Sequence, residues 1–166
     1  SFALLSDQNY LMRSAGWLAA VVAMYVLVYV VRRAALLYAG NMMSVMLATL
    51  LCAWRGVSFN WALVVIAAFG LIGFYGAGWL YRLWRGTGRV WNAMLVSSLT
   101  AAGSAGLLAL LSSDIAIVAG AAAILVGAGV VFGIQSYEMK QLGFAECGVV
   151  IAMLGAQRLL YVALPD

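Results

Sequence analysis

Long apolar runs separated by short polar breaks occupy almost the whole of this chain. A helix needs about 20 apolar residues to cross the hydrocarbon core of a bilayer, and these runs have about that length. Open strands cannot span lipid, and the runs lack the alternation of barrel strands, so the pattern predicts helices. The predicted spans are residues 14–31, 34–54, 59–80, 90–111, 115–134 and 142–164.

The predicted fold is all-α, a polytopic transmembrane helix bundle of five to six spans. The loops between the runs are too short to form an extramembrane domain, so residues 1–166 are expected to make one transmembrane domain. Only Ser112, Ser113 and Asp114 divide the apolar residues between 90 and 134, which leaves the number of spans there open. Asp114 is expected to cap the helix that follows it.

The composition indicates the same environment. The chain is 67% hydrophobic and 8% charged, whereas soluble domains are typically about 45–50% apolar and about 25% charged. Charged residues are too few to cover a surface in water. This balance excludes a free soluble enzyme, a secreted disulfide-rich domain and a disordered tail. Cys52 and Cys147 have neither a CxxC nor a zinc-ligand spacing, and we expect both to be buried thiols.

The basic residues are distributed unequally between the two sides of the predicted bundle. One side holds only Arg13 and Arg55 in its loops. The loops after the first, third and fifth spans hold the larger set, Arg32, Arg33, Arg82, Arg85, Arg89 and Lys140. The positive-inside rule places the larger set on the inner side and both termini on the outer side. The net charge of +4 is therefore topology information, and we predict no nucleic-acid partner.

Side chains that perform covalent chemistry are scarce. The sequence has no histidine, which excludes a histidine-ligated haem b and a histidine-based catalytic set. It also shows no paired carboxylates, no phosphate-binding loop and no cluster of metal ligands. We therefore predict no catalytic residue, no cofactor and no metal site on this chain.

Glu146 is the one acidic residue that falls inside a predicted span. An ionised carboxylate in hydrocarbon is costly, so such a residue usually faces protein or water. It is a candidate for a proton path in a larger assembly, and we expect it to be buried against protein. The alternative is that Glu146 reaches the headgroups from the start of its helix. Arg158, near the other end of the same span, is expected to do so.

Glycines recur at close spacing in the third predicted span, at Gly70, Gly73 and Gly76. Small residues of this kind serve helix–helix packing in many membrane proteins, as the GxxxG pair Gly129 and Gly133 is expected to do. Alternatively, they allow a helix to bend or to carry a π-bulge. We predict that the third span departs from regular α geometry between residues 67 and 76, with the three glycines as hinge candidates.

Several short segments carry a resemblance to a known family. They are VVRR at residues 30–33, LLCAWRGVSF at 50–59, Gly70 in the span that follows, and Glu146 ahead of LGA at 154–156. They resemble NADH dehydrogenase subunit 6, a core membrane subunit of respiratory complex I. That family has five spans, and its third helix carries a π-bulge linked to the coupling of quinone chemistry with proton pumping. The resemblance implies that Gly70 is the hinge glycine.

The function expected from this resemblance is that of a non-catalytic core membrane subunit of proton-pumping complex I. Its partners would be other membrane subunits and the lipid bilayer, in the mitochondrial inner membrane or alternatively the bacterial cytoplasmic membrane. Two other interpretations remain open: a structural accessory subunit of a large membrane complex, and a small six-helix transporter or substrate-binding component. The spans show no recognisable cluster of polar residues for a soluble substrate, which disfavours a transporter.

Overall fold

The structure, a computed structural model, describes residues 2–31, 33–85, 88–140 and 142–164. Within these ranges the backbone is helical apart from short connections. Arg32, a member of the predicted inner basic set, lies outside the described residues. The helices are α1 (Phe2–Val31), α2 (Ala34–Trp54), α3 (Phe59–Phe69), α4 (Tyr75–Arg85), α5 (Arg89–Ala109), α6 (Ile115–Met139) and α7 (Leu142–Ala163), with a π-helical segment at Gly70–Phe74 joining α3 to α4.

Six helices of the described chain are long and apolar enough to cross a membrane. One of them is the continuous span Phe59–Arg85, which α3, the π-helical segment and α4 form together. The chain is thus an integral membrane protein, and the all-α prediction is confirmed with six spans. Three predicted spans were too short, because α1 begins at Phe2, the third span extends to Arg85 and α6 extends to Met139.

The break between α5 and α6 is a true helix boundary. The Asp114 carboxylate accepts a hydrogen bond of 2.8 Å from the Ala116 backbone N–H, which satisfies a free donor of the first turn. The capping role predicted for Asp114 is confirmed. On the same side of the bundle, the Asn60 side-chain amide donates to the Ser112 hydroxyl at 3.3 Å, so this loop is attached to the start of α3.

Helix α5 occupies the centre of the bundle. It packs against α2, α3, the π-helical segment, α4, α6 and α7, whereas α1 packs mainly on α2. Small residues of α5, among them Ala102 and Gly103, let its neighbours approach closely. Trp91 and Leu95 of α5 and Phe132 of α6 are fully buried in this packing. The central position of α5 explains why the polar clusters described below all involve it or border it.

Helices α6 and α7 form the most extensive pair, and glycines make it possible. A Cβ atom on Gly129 would lie 2.6 Å from the Ala152 Cβ, and one on Gly155 would lie 3.1 Å from the Leu125 Cβ. A Cβ on Gly148 would lie 3.0 Å from the Gly129 carbonyl oxygen. Gly133 has open space instead. The prediction that both glycines of the GxxxG pair serve helix packing is therefore wrong for Gly133. Gly129 packs against α7, and Gly133 does not.

The helix ends near residues 31–34, 85–89 and 139–142 meet at one end of the bundle. This end, here called the basic end, carries Arg33, Arg85, Arg89 and Lys140 among the described residues. The opposite end carries the turns around Arg55 and Asp114. The alternation of the spans therefore brings the described members of the larger predicted basic set together on one side, as the positive-inside rule predicts.

Candidate functional site

The third span contains the irregularity that the glycine spacing predicts. Residues Gly70–Phe74 form a π-helical segment between two α-helices, so the predicted departure from α geometry between residues 67 and 76 is confirmed. π-Helical turns inside α-helices are rare and frequently mark functional positions. Whether the segment acts as a hinge is a question of motion, and it stays a prediction.

The three hinge candidates have different surroundings. Gly70 begins the π-helical segment, and a Cβ there would lie 2.6 Å from the Ala101 Cβ. Gly73 lies inside the segment, where a Cβ would meet the Phe69 ring at 3.3 Å. Gly76 lies just beyond it in α4 and has open space around it. Gly70 is therefore required for close approach to α5, whereas Gly76 is not constrained by packing.

A cluster of polar side chains lies deep within the spans between α1, α2 and α5. The Tyr25 hydroxyl donates to the Asn41 side-chain oxygen at 2.6 Å and lies 3.3 Å from the Ser44 hydroxyl. The Asn41 side-chain nitrogen donates to the Ser97 hydroxyl at 2.8 Å and lies 3.6 Å from the Met94 sulfur. We call these five residues the mid-span cluster. Asn41 is only 2% exposed, so its partners compensate for its removal from water.

The mid-span cluster borders a cavity of about 560 Å³ that opens sideways from the bundle. Its walls come from α2, α3, the π-helical segment and α5, and Phe74 of the π-helical segment forms part of them. Hydroxyl and amide groups face it beside apolar side chains. The lining residues are Tyr38, Asn41, Met42, Val45, Ile66, Phe74, Val96, Ser97, Thr100, Ala101 and Ser104. The spans thus do assemble a hydrogen-bonded polar cluster beside a cavity.

A second polar cluster links the end of the π-helical segment to the basic end. The Gln135 side chain donates to the Tyr75 hydroxyl at 3.1 Å and accepts from Arg82 at 3.3 Å. Arg82 also pairs with Glu138 at 2.5 Å. The Arg82 guanidinium lies 5.5 Å from the ring centroid of Trp91, within the range of a cation–π interaction. We call these five residues the α4–α6 cluster.

One member of the α4–α6 cluster is incompletely satisfied. Trp91 is fully buried, and its indole N–H has no hydrogen-bond partner within the described part of the chain. Its ring packs at 5.9 Å from that of Tyr75. A buried donor without an acceptor costs free energy, whereas the ring contacts of Trp91 with Tyr75 and Arg82 are favourable.

Neither cluster was predicted from the sequence, although each left a signal. Asn41 and Ser44 lie one helical turn apart inside an apolar span, and Gln135 and Glu138 lie one turn apart in α6. Residues at this spacing share a helix face. The sequence does not show which helices those faces meet, and α5 and α4 supply the partners.

Glu146 is not buried by the other helices of this chain. It is exposed on α7, and its neighbour Cys147 is exposed as well. Helix α7 packs against α6 and α5 through the opposite face, which carries Gly148 and Gly155. The predicted burial of Cys147 is therefore wrong. This chain's own helices do not bury Glu146, and its burial against a neighbouring subunit stays a prediction. Cys52 is buried, as expected.

Arg158 has a hydrogen-bond partner at the end of another helix of the bundle. Its side chain donates to the Leu110 carbonyl oxygen at 3.2 Å and lies 5.2 Å from the ring centroid of Tyr161. Arg158 is thus bound to the end of α5, and its reach toward the headgroups stays a prediction. It supplies a polar group to an orphan carbonyl at a helix C-terminus, where a cation is favoured.

The described residues contain no group of three or more His, Cys, Asp or Glu side chains that could hold a metal ion. What they do provide is an irregular helix, two hydrogen-bonded clusters and an exposed carboxylate. Comparison of the chain with protein-family models, with curated proteins and with solved structures finds no match.

Proposed function

We propose that this chain is a non-catalytic core membrane subunit of a proton-pumping NADH:quinone oxidoreductase, respiratory complex I. One observation carries the proposal. The π-helical segment begins at Gly70, the residue at which the resemblance to the subunit 6 family puts the hinge glycine. The proposed partners are other membrane subunits, and the proposed location is the mitochondrial inner membrane, with the bacterial cytoplasmic membrane as the alternative.

The π-helical segment is suited to a coupling role because a change at the bulge would turn one half of the third span relative to the other. A π-bulge holds one residue more than the corresponding α-helical turn, and each α-helical residue turns the helix by about 100°. If the bulge were absorbed into regular α geometry, α4 would rotate relative to α3 by roughly that angle. Tyr75 and Arg82 would then leave Gln135 and Glu138, so the backbone change would also rearrange the α4–α6 cluster.

Glu146 fits the same proposal from its position on the exposed face of α7. An exposed carboxylate on a transmembrane helix is costly in lipid, by about 2.5–3.5 kcal/mol at mid-helix on the insertion scale. Its position near the start of α7 lowers that cost. A neighbouring subunit that covers this face of α7 would lower it further and would place the carboxylate between two proteins. This arrangement makes Glu146 the proton-path candidate of the chain.

The test is a deletion that removes the bulge without rotating α4. Ile72 is 74% exposed in the π-helical segment. Its deletion leaves regular α geometry and keeps Arg82 facing Glu138, whereas Ile72→Ala keeps the bulge and is the matched control. In the native assembly, the deletion is expected to preserve NADH:quinone electron transfer and abolish proton pumping. Ile72→Ala is expected to preserve both activities.

Two results would contradict the proposal. The first is a tagged chain that is solubilised in a small particle without NADH:quinone activity. The second is a deletion variant that pumps protons at the rate of the parent protein. Native mass measurement and acidification assays in the same membranes give both readouts.

A second candidate function is favoured by the lateral cavity. Its volume of about 560 Å³ falls within the range of small-molecule sites, and the mid-span cluster supplies polar groups at its wall. The corresponding function is that of a substrate-binding membrane component that docks on an energising partner. Co-purification with an ATPase, together with a small molecule lost on Ser97→Ala substitution, would support this function over the first.

A further inference from the structure

A second cavity lies at the basic end of the bundle. It measures about 400 Å³ and is lined by residues of α1, α2, α4 and α5. It is separate from the lateral cavity, although Tyr25 and Met94 of the mid-span cluster close its inner wall. Its lining residues are Tyr25, Val28, Tyr29, Leu37, Tyr81, Arg85, Val90 and Met94.

The mouth of this cavity is cationic and rich in hydroxyl groups. Arg85 is the last residue of α4, and it is exposed. Within the described ranges it takes part in no ion pair, because the pair at this end joins Arg82 to Glu138. Tyr29 and Tyr81 line the cavity beside it and are 72% and 38% exposed. The mouth therefore offers a guanidinium fork and two phenolic hydroxyls to an anion.

The interior of the cavity is apolar. Val28, Leu37, Val90 and Met94 form its walls, and three of these side chains are buried in the same core cluster. Tyr25 lies six residues before the end of α1, which places the inner wall about 9 Å from the helix end. A soluble anion would satisfy Arg85 but would leave these apolar walls uncovered.

We propose that this cavity binds an anionic phospholipid from the leaflet at the basic end. The headgroup phosphate lies against Arg85, Tyr29 and Tyr81, and the first carbons of an acyl chain lie against the four apolar side chains. Basic pockets between transmembrane helices on this side of a membrane suit such lipids. The charge at the mouth and the apolar depth together favour a lipid over a free anion or an acidic segment of another protein.

The test measures which lipid stays on the protein. The full chain is purified in the assembly that it forms, depleted of lipid, and exchanged with vesicles of phosphatidylglycerol or phosphatidylcholine. Bound lipid is then counted by native mass spectrometry. The parent protein is expected to retain phosphatidylglycerol in preference to phosphatidylcholine. Arg85→Gln is expected to lower that retention about fivefold. One arginine near the surface contributes about 1 kcal/mol to the binding of an anionic lipid, which corresponds to that factor.

The matched control is Arg89→Gln, which removes an exposed arginine at the same end that does not line the cavity. It is expected to retain the lipid as the parent does, and Arg85→Lys is expected to retain an intermediate amount. Thermal unfolding of each variant without added lipid separates loss of binding from loss of fold.

Three outcomes would overturn the proposal. The first is equal retention of the two lipids by the parent protein. The second is an equal loss of lipid in Arg85→Gln and Arg89→Gln. In the third, inorganic phosphate or a co-purified acidic protein segment raises the melting temperature of the parent protein by the same amount as phosphatidylglycerol. That result would assign the mouth to an anion or a protein partner, and the apolar walls would then play no part in binding.

Discussion

Arg82 and Glu138 form an ion pair of 2.5 Å that joins α4 to α6 at the basic end of the bundle. The two side chains are 30% and 40% exposed, so water screens much of their attraction. Arg82 has two further partners that Glu138 lacks, the Gln135 side-chain oxygen and the Trp91 ring. The arginine is therefore the member of the pair on which the α4–α6 cluster depends.

Replacing the two members of this pair should have unequal effects. Arg82→Gln is expected to lower the free energy of unfolding by about 1–2 kcal/mol, because it loses a charged hydrogen bond and a cation–π contact as well as the ion pair. Glu138→Gln is expected to cost less than about 1 kcal/mol. Thermal unfolding in one detergent measures both, with Arg89→Gln as the control. Equal costs would show that the Gln135 and Trp91 contacts add nothing.

Gly70 and Gly76 should differ in their tolerance of a methyl group. A Cβ on Gly70 would lie 2.6 Å from the Ala101 Cβ and 2.9 Å from the Ala102 backbone nitrogen. Gly70→Ala is therefore expected to push the third span from α5 and to destabilise the chain by about 1–3 kcal/mol. Gly76→Ala meets open space and should be neutral, or stabilising by up to about 1 kcal/mol. Matching melting temperatures for the two variants would contradict this assignment.

The same comparison applies to the pair Gly129 and Gly133. Gly129 faces Ala152 and the backbone of α7, and Gly133 faces open space. Gly129→Leu should separate α7 from α6 and expose α7 to proteolysis, whereas Gly133→Leu should leave the two helices packed. Limited proteolysis in detergent distinguishes the variants. Cleavage that is unchanged in Gly129→Leu would show that the glycine contact does not hold α7 in place.

The orientation of the bundle can be tested by cysteine labelling from one side of the membrane. Gly86→Cys would probe the loop after α4, but Gly86 lies outside the described residues. Gly88 is described and exposed at the basic end, and Ser58 is exposed at the opposite end. In a Cys147→Ser background, an impermeant maleimide added from outside should label Ser58→Cys and leave Gly88→Cys unlabelled. The reverse pattern would invert the topology.

The exposed face of α7 should be covered in the native assembly. Cys147 reports this directly, since it is exposed beside Glu146 in the isolated chain while Cys52 is buried. N-ethylmaleimide should modify Cys147 several times more slowly in the assembled complex than in the dissociated chain. Equal rates would show that no subunit covers this face.

Glu146→Gln distinguishes a proton-transfer role of Glu146 from a purely interfacial one. The substitution preserves shape and hydrogen bonding but removes the titrating group. If the carboxylate passes protons, proton pumping should fall while assembly survives. If pumping and assembly both survive, Glu146 is an interfacial residue only, and the proton-path assignment is wrong. Arg158→Gln is a suitable comparison, because Arg158 is bound to the Leu110 carbonyl and its loss is expected to affect stability without affecting pumping.

Much of the backbone could be predicted because lipid leaves few alternatives. An apolar run must satisfy its own backbone hydrogen bonds, so the run lengths determined the helices and their order. The glycine spacing also predicted where the third span is irregular, and Asp114 predicted where α6 begins. These features depend on residues close together in the chain, which is why the sequence alone was sufficient for them.

The side-chain partners were decided only by tertiary packing. Asn41 forms hydrogen bonds with Tyr25 and Ser97. Arg82 bonds to Gln135 and pairs with Glu138, and Arg158 donates to a carbonyl at the end of α5. Glu146 lies on the exposed face of α7, because the glycine face of α7 packs against α6. A helix sequence determines which residues share a face. Which face meets which neighbour depends on how closely the helices can approach, and that is a property of the whole bundle.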